Sequence, residues 1–398
     1  VKIGIVTPNY YPYPGGVTEH VRHTYVELRR LGHDVRVVTT SFGEGETPDA
    51  HDVVRVGRSV TVPANGSMCP VAVAPRMVSR LRTIFEREAF DLLHVHEPFM
   101  PLLCLAALRA AEMPVVGTFH ASNESSWGYR LFRRALQPYA AKLSKRIAVS
   151  ASARDTVGRH LGGTYEIVPN GVDVERFASA EPIPELSDGT LNVLFVGRME
   201  PRKGARFLLA ALPAIRSALP DSRVTFVGGG PLTWYYRLHV PRSCGDYATF
   251  EGRVSADMLP RYFRTADIYC SPATGGESFG IVLLEAMAAG AAIVASNISG
   301  YGDVVSHEDT GILVPPGDPS AIADAIVRVG RDEALRGALV GNARRSVERY
   351  SWVRVTREIL DVYEDAVSGA RTGGAPGGEE AAYAHRRVGR PVGAGLAT

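Results

Sequence analysis

The feature that most constrains this chain is a regular alternation of short, β-branched apolar runs with helical stretches. Runs at residues 1–7, 35–40, 91–96, 115–119, 146–150 and 165–169 have the length and composition of strands buried on both faces. Apolar residues at helical spacing predict helices over 17–31, 74–88 and 102–112 between them. One parallel strand can follow another only through a crossover over the sheet, and such crossovers put helices on both faces. A Pro/Asp/Gly-rich stretch, EPIPELSDGT at 181–190, interrupts the pattern and reads as a linker. The alternation then restarts, with strands expected at 191–196, 223–227, 248–251, 268–271 and 292–295. Helices are expected at 205–217, 256–266, 279–289, 320–331 and 333–350. The predicted fold is α/β: two Rossmann-like, doubly wound domains, 1–182 and 183–350, facing a central cleft. A last helix over 351–367 is expected to cross back to the first domain. The remainder, 368–398, is rich in Gly, Ala, Pro and Arg and is expected to be disordered.

Composition narrows the classes of function. A chain of 398 residues has room for two cores, and 45% hydrophobic with 22% charged residues is globular composition. A net charge of +2 gives a nucleic-acid partner no bulk electrostatic support. Cys69, Cys104, Cys244 and Cys270 form no CxxC pair and read as buried thiols in a reducing cytosol. The opening VKIGIVTPNYYP does not read as a signal peptide. No stretch approaches about 18 uncharged apolar residues; the nearest, 280–296, carries Glu285 in its middle. The expectation is a cytoplasmic protein, with attachment to a membrane surface left open.

Four constellations carry candidate chemistry. Gly15 and Gly16, in PGGV, open the first helix, where free N–H groups and the positive helix end suit a diphosphate or a sugar; a tight turn accounts for them equally well. Arg198 and Lys203, in GRMEPRKG after a strand, suit phosphate oxygens and a developing negative charge, or else a solvated turn. The strongest is GGESFGIVLLEAMAAG. Glu277 precedes a helix, and N–H groups around Ser278, Phe279, Gly280 and Ile281 open it. Glu285 falls inside its apolar second turn, where a carboxylate needs partners such as ribose hydroxyls. Finally, His120 ends the strand PVVGTFH, and His96 with Glu97 ends LLHVHE. No His and carboxylate pair falls at metal-ligand spacing and no DxD motif occurs, so no metal and no cofactor are expected.

These segments, with PNGVD at 169–173 and Asn65-Gly66-Ser67 placed before a helix, resemble the retaining GT-B glycosyltransferases of family 4. The resemblance runs from about residue 1 to 363 and is closest to the actinobacterial phosphatidylinositol mannosyltransferases. It implies a nucleotide-sugar donor, GDP-mannose, an inositol phospholipid acceptor, and peripheral association with the inner face of the plasma membrane. By residue, it implies that Arg198 and Lys203 clamp the diphosphate, Glu277 contacts the transferred sugar and Glu285 the ribose. Gly16 lets the donor approach, and His120 hydrogen-bonds the sugar near the reacting carbon. The sequence departs from the family at two places. Thr18 stands where a glutamine often lies near the acceptor headgroup. The amphipathic helix at 74–88 is less basic than its counterparts, with Arg76, Arg80, Leu81 and Ile84 as its interfacial stripe.

The alternatives are a UDP-sugar donor with another lipid or soluble acceptor, a Rossmann oxidoreductase, and a non-catalytic sugar-nucleotide or lipid-binding protein. The missing GxGxxG fingerprint and ribose-binding acid count against the oxidoreductase.

Overall fold

A computed structural model describes residues 1–13, 15–41, 45–64, 67–121 and 127–371. The first unit comprises β1 (Lys2–Val6), α1 (Gly16–Arg30), β2 (Asp34–Ser41), β3 (Val53–Ala64), β4 (Ser67–Val73), α2 (Met77–Glu88), β5 (Leu92–His96), α3 (Leu103–Ala110), β6 (Val115–Phe119), α4 (Trp127–Ala140), β7 (Lys145–Ala148), α5 (Ala151–Leu161) and β8 (Glu166–Ile167). Its sheet has eight strands in the order β4-β3-β2-β1-β5-β6-β7-β8, antiparallel only between β3 and β4. After a short α6 (Val174–Ala178), the second unit runs β9 (Leu191–Val196), α7 (Ala205–Ala218), β10 (Ser222–Val227), α8 (Thr233–Leu238), β11 (Ala248–Gly252), α9 (Met258–Thr265), β12 (Ile268–Ser271), α10 (Ile281–Ala289), β13 (Ala292–Ser296), α11 (Ser299–Gly302), β14 (Ile312–Val314), α12 (Pro319–Arg331) and α13 (Glu333–Val347). Its sheet is parallel throughout, in the order β11-β10-β9-β12-β13-β14. The last helix is α14 (Trp352–Arg371).

Each sheet is covered on both faces, because its strands are apolar on both. In the first unit, side chains of α2, α3, α4 and α5 pack on one face, while α1 and α14 cover the other. In the second, α7 and α12 cover one face, and α9, α10 and α13 the other. The two α/β/α layers expected from the alternation are therefore present.

Local expectations fail where non-local pairing decides. The β3–β4 hairpin and helices α4 and α5 were not anticipated, and Ser67 starts a strand rather than preceding a helix. Asn65 and Gly66 lie outside the described residues. The run at 165–169 shrinks to two exposed strand residues at the sheet edge. The expected linker at 181–190 is not where the chain crosses. Phe177 of α6 already packs on Phe263 in the second unit, Ile183 N–H donates to Thr265 Oγ1, and Arg261 holds the carbonyls of Glu181 and Pro182. The crossing falls in PNGVD. There Val172 N–H donates to the Tyr350 carbonyl, and Trp352 lies so close to Gly171 that a Cβ would stand 2.4 Å from its ring.

The returning helix α14 buries Trp352, Val355, Ile359, Val362 and Tyr363 against the first unit. It extends to Arg371, past the expected end at 367; the tail from 372 lies outside the described residues.

Side chains of α5 and its cap bridge the units directly; Ser152 N–H donates to Asp303 Oδ2 at 3.5 Å, and its hydroxyl lies 3.4 Å from that of Ser299. The Ser150 hydroxyl caps α5, accepting from Ala153 N–H at 3.0 Å, and donates across the cleft to the Ser278 carbonyl at 2.7 Å. Replacing Ser150 with alanine removes both bonds and should cost about 1–2 kcal/mol, read as a fall in the denaturation midpoint.

Candidate active site

Each sheet reverses its strand order once, between β1 and β5 in the first and between β9 and β12 in the second. Crevices for ligands in parallel sheets open at such points, outside the carboxyl ends of the strands. The loops flanking the two reversals are the ones singled out in the sequence: PGGV after β1, HEP after β5, GRMEPRKG after β9 and ATGGESFG after β12. The first and last face each other. A Cβ on Gly16 would stand 3.3 Å from the Ile281 side chain at the start of α10.

On the second unit, the two loops form a charge cluster. Glu277 Oε1 receives both Lys203 Nζ at 2.7 Å and Arg202 Nη1 at 2.6 Å. Arg202 also reaches the Gly276 carbonyl and the Glu200 carboxylate. Arg198 pairs with Glu200 at 2.9 Å and is half exposed toward solvent. The part of Arg202 as the second clamp on Glu277 appears only in the fold. The same holds for Gly228, Gly229 and Gly230. A Cβ on Gly228 would stand 2.0 Å from the Gly197 carbonyl oxygen, so the loops after β9 and β10 meet backbone to backbone.

Helix α10 begins at Ile281, capped by Gly280 with φ +90. Its first turn offers N–H groups toward the cleft. Phe279 is not a contact residue by its side chain, which is 3% exposed and packs on Tyr350. Glu285 is half-buried, on a helix whose Leu283, Leu284, Ala286 and Met287 belong to the core. Burial pushes its pKa up to about 8, with Glu19 across the cleft adding to the rise and Arg176 and Lys203 opposing it.

On the first unit, His120 follows β6 and is 7% exposed. Glu97 does not face the cleft as a separate group. Its Oε1 accepts the backbone N–H of His120 and of Ala121, both at 2.8 Å, and so fixes the loop that carries His120. His96 is fully buried, with Nδ1 2.9 Å from His120 Nε2. Burial drives the pKa of His20 down to about 4 and those of His96 and His120 well below the ordinary histidine value. The expectation that no metal-ligand set exists rested on linear spacing. Folding brings His20, His96 and His120 together, with one ring nitrogen of each within 4.8 Å of the others.

Thr18, the departure in the first helix, is fully buried and donates to the Tyr13 carbonyl at 2.8 Å, so it presents nothing to an acceptor. The stripe expected on α2 also changes, because Leu81 is fully buried in the core. What remains is a groove between β3 and α2, lined by Arg55, Arg76, Ser79, Arg80, Thr83 and Ile84. No helix among the described residues is long and apolar enough to cross a membrane.

Residues 14–176 match the family described as Glycosyltransferase Family 4, and residues 190–332 that described as Glycosyl transferases group 1. The phosphatidyl-myo-inositol mannosyltransferase of Mycolicibacterium smegmatis is 40% identical over 374 residues, 93% of this chain and 95% of that protein. The same-named protein of Mycobacterium leprae is 38% identical over 376 residues, 93% of this chain and 99% of its own. Among solved structures, Anabaena HepE in complex with UDP matches with a TM-score of 0.74 at 20% identity, covering 92% of this chain and all of that one. Sucrose-phosphate synthase from Thermosynechococcus elongatus matches with 0.71 at 20% identity over 92% of this chain and 99% of its own. At that identity the likeness speaks for the fold.

Proposed function

The chain belongs to glycosyltransferase family 4, and from that premise we propose that it transfers mannose from GDP-mannose, with retention of configuration, to an inositol phospholipid at the inner face of a membrane. The observation that carries the reading is the Lys203–Glu277–Arg202 cluster beside the start of α10, set opposite Gly16 across the cleft. A diphosphate seated at the helix start meets N–H groups, Lys203 and Arg198 together. Their fixed positive charge stabilises the charge that builds on the leaving phosphate. Glu277, held by Arg202 and Lys203, is fixed in place to accept hydrogen bonds from the sugar hydroxyls. His120 approaches from the other unit, near the reacting carbon. The leaving phosphate takes the acceptor's proton on the same face, and closure of the units excludes water.

The relatives named for phosphatidyl-myo-inositol support the acceptor. So do two cationic surfaces on the first unit. One is the groove at Arg55, Arg76 and Arg80. The other is α4, where Leu131 and Phe132 are 64% and 54% exposed, flanked by exposed Arg130, Arg133 and Arg134. Apolar side chains ringed by arginine suit an anionic lipid surface. Changing Leu131 and Phe132 together to serine should lower binding to anionic vesicles severalfold in a sedimentation assay and leave donor hydrolysis in solution unchanged.

Glu285 links donor binding to protons. With a pKa of about 8, its carboxyl is largely protonated at pH 7 in the free protein. Accepting two ribose hydroxyls requires the carboxylate, so donor binding should release close to one proton at pH 7. Affinity should then rise with pH until about 8 and level off. The sign reverses for the free fold. A carboxyl whose pKa is raised on folding makes stability fall as pH climbs from the unfolded value toward 8. Calorimetry in buffers of different ionisation heat reads the proton count, and Glu285→Gln should abolish it.

The decisive assay is transfer of labelled mannose from GDP-mannose to vesicles with and without phosphatidylinositol, run beside UDP-glucose and UDP-N-acetylglucosamine. Lipid-dependent transfer from GDP-mannose is expected. Preference for a UDP-sugar overturns the donor, and equal incorporation without phosphatidylinositol overturns the acceptor.

A further inference from the structure

Beneath the cleft, three histidines from three elements converge: His20 on α1, His96 at the end of β5 and His120 after β6. They are 1%, 0% and 7% exposed. Two of their ring nitrogens, His20 Nε2 and His96 Nε2, are buried without a hydrogen-bond partner. Leaving such an atom unpaired costs about 1–3 kcal/mol, so two of them on rings whose centroids are 5.3 Å apart mark a place that is incomplete as a hydrogen-bonded core.

The surrounding bonds orient the rings as ligands. His20 Nδ1 lies 2.9 Å from Asn170 Oδ1. An amide oxygen only accepts, which makes Nδ1 the protonated nitrogen and leaves a lone pair on Nε2. Asn170 thus stands to His20 as an outer partner stands to a metal-bound imidazole. His94, although its ring lies 4.1 Å from that of His96, is excluded. Its Nε2 is bonded to Thr118 Oγ1 and its Nδ1 to the Tyr363 hydroxyl, both at 2.6 Å. Among the described residues, no carboxylate belongs to the cluster. An all-imidazole set disfavours Mg²⁺ and Ca²⁺ and suits the borderline d-block ions.

We propose that His20, His96 and His120 form a three-imidazole site for a divalent d-block cation of the Zn²⁺ class. One ring nitrogen of each lies within 4.8 Å of the others, and His96 Nδ1 stands 2.9 Å from His120 Nε2, so the cation replaces the hydrogen bond between those two rings. Small rotations of the rings bring them to the Zn–N distance of about 2.0–2.1 Å. His120, at 7%, is the least buried of the three.

The test uses Co²⁺ as a visible probe of the full-length, chelator-stripped protein. Expected are d–d absorption bands that saturate at one equivalent and are displaced by Zn²⁺ but not by Mg²⁺. His20→Gln and His96→Gln should each weaken Co²⁺ binding by at least about 100-fold, Asn170→Ala by about 10–100-fold, and exposed His51→Gln not at all. Zn²⁺, and not Mg²⁺, should raise the thermal midpoint of the wild-type protein, a readout that does not depend on any variant folding. Absence of the bands at stoichiometric Co²⁺, or their persistence at full strength in folded His20→Gln, overturns the site.

Discussion

Lys203→Ala is expected to lower kcat for mannose transfer by about 10²–10³-fold, equivalent to about 3–4 kcal/mol of transition-state stabilisation. The side chain is only 15% exposed, and its ammonium sits 2.7 Å from Glu277. A charge screened so little from its neighbours acts more strongly on a developing phosphate charge than it would in water. The substitution leaves Arg202 on Glu277 and should hardly move the thermal midpoint, which separates a lost charge from a lost fold. Lys203→Arg should restore little, because a planar fork cannot occupy the place of a compact ammonium. Initial rates with labelled donor, read beside a melting curve, decide it. Retention of more than a tenth of the wild-type rate would mean that the diphosphate is not held here.

Gly204→Ala should show the opposite pattern, with fold and activity failing together. Gly204 has φ +75, and a Cβ there would stand 1.8 Å from the Pro272 carbonyl oxygen, a backbone atom that no side-chain rotation can clear. The loop carrying Arg198 and Lys203 must then separate from the loop carrying Glu277. That breaks the bond from Thr274 N–H to the Arg202 carbonyl and spreads the clamp. Left-handed strain and the overlap together should cost roughly 3 kcal/mol or more, measured as a shift in the urea midpoint. Gly275→Ala is the useful contrast. Its φ of +148 is also unfavourable, but its added Cβ meets nothing within 4 Å, so the loss should be smaller.

The two glycines show where sequence reasoning reaches and where it stops. Gly204 stood in a recognisable loop, yet nothing in the letters distinguishes a glycine pressed against a carbonyl from one in open space. Phe279 and Leu81 fail in the same way. Both lie in segments correctly read as helical or helix-opening, and both turn inward, because the face of a short helix is set by what it packs against. Glu97 appeared to be a site residue and instead holds the His120 backbone, a role visible only when β5 and β6 lie side by side.

The sequence by itself determined the two largely parallel sheets, the order of most strands and helices, and the loops proposed for the donor, because each depends on local periodicity or on a contiguous motif. Tertiary structure decided the rest. It added the β3–β4 hairpin and moved the domain crossing to PNGVD. It gave Arg202 its hold on Glu277, and it gathered His20, His96 and His120 into one buried cluster. The physical reason is common to all four: each arises from contact between segments distant along the chain, and such contact is selected by packing and hydrogen bonding across the whole fold.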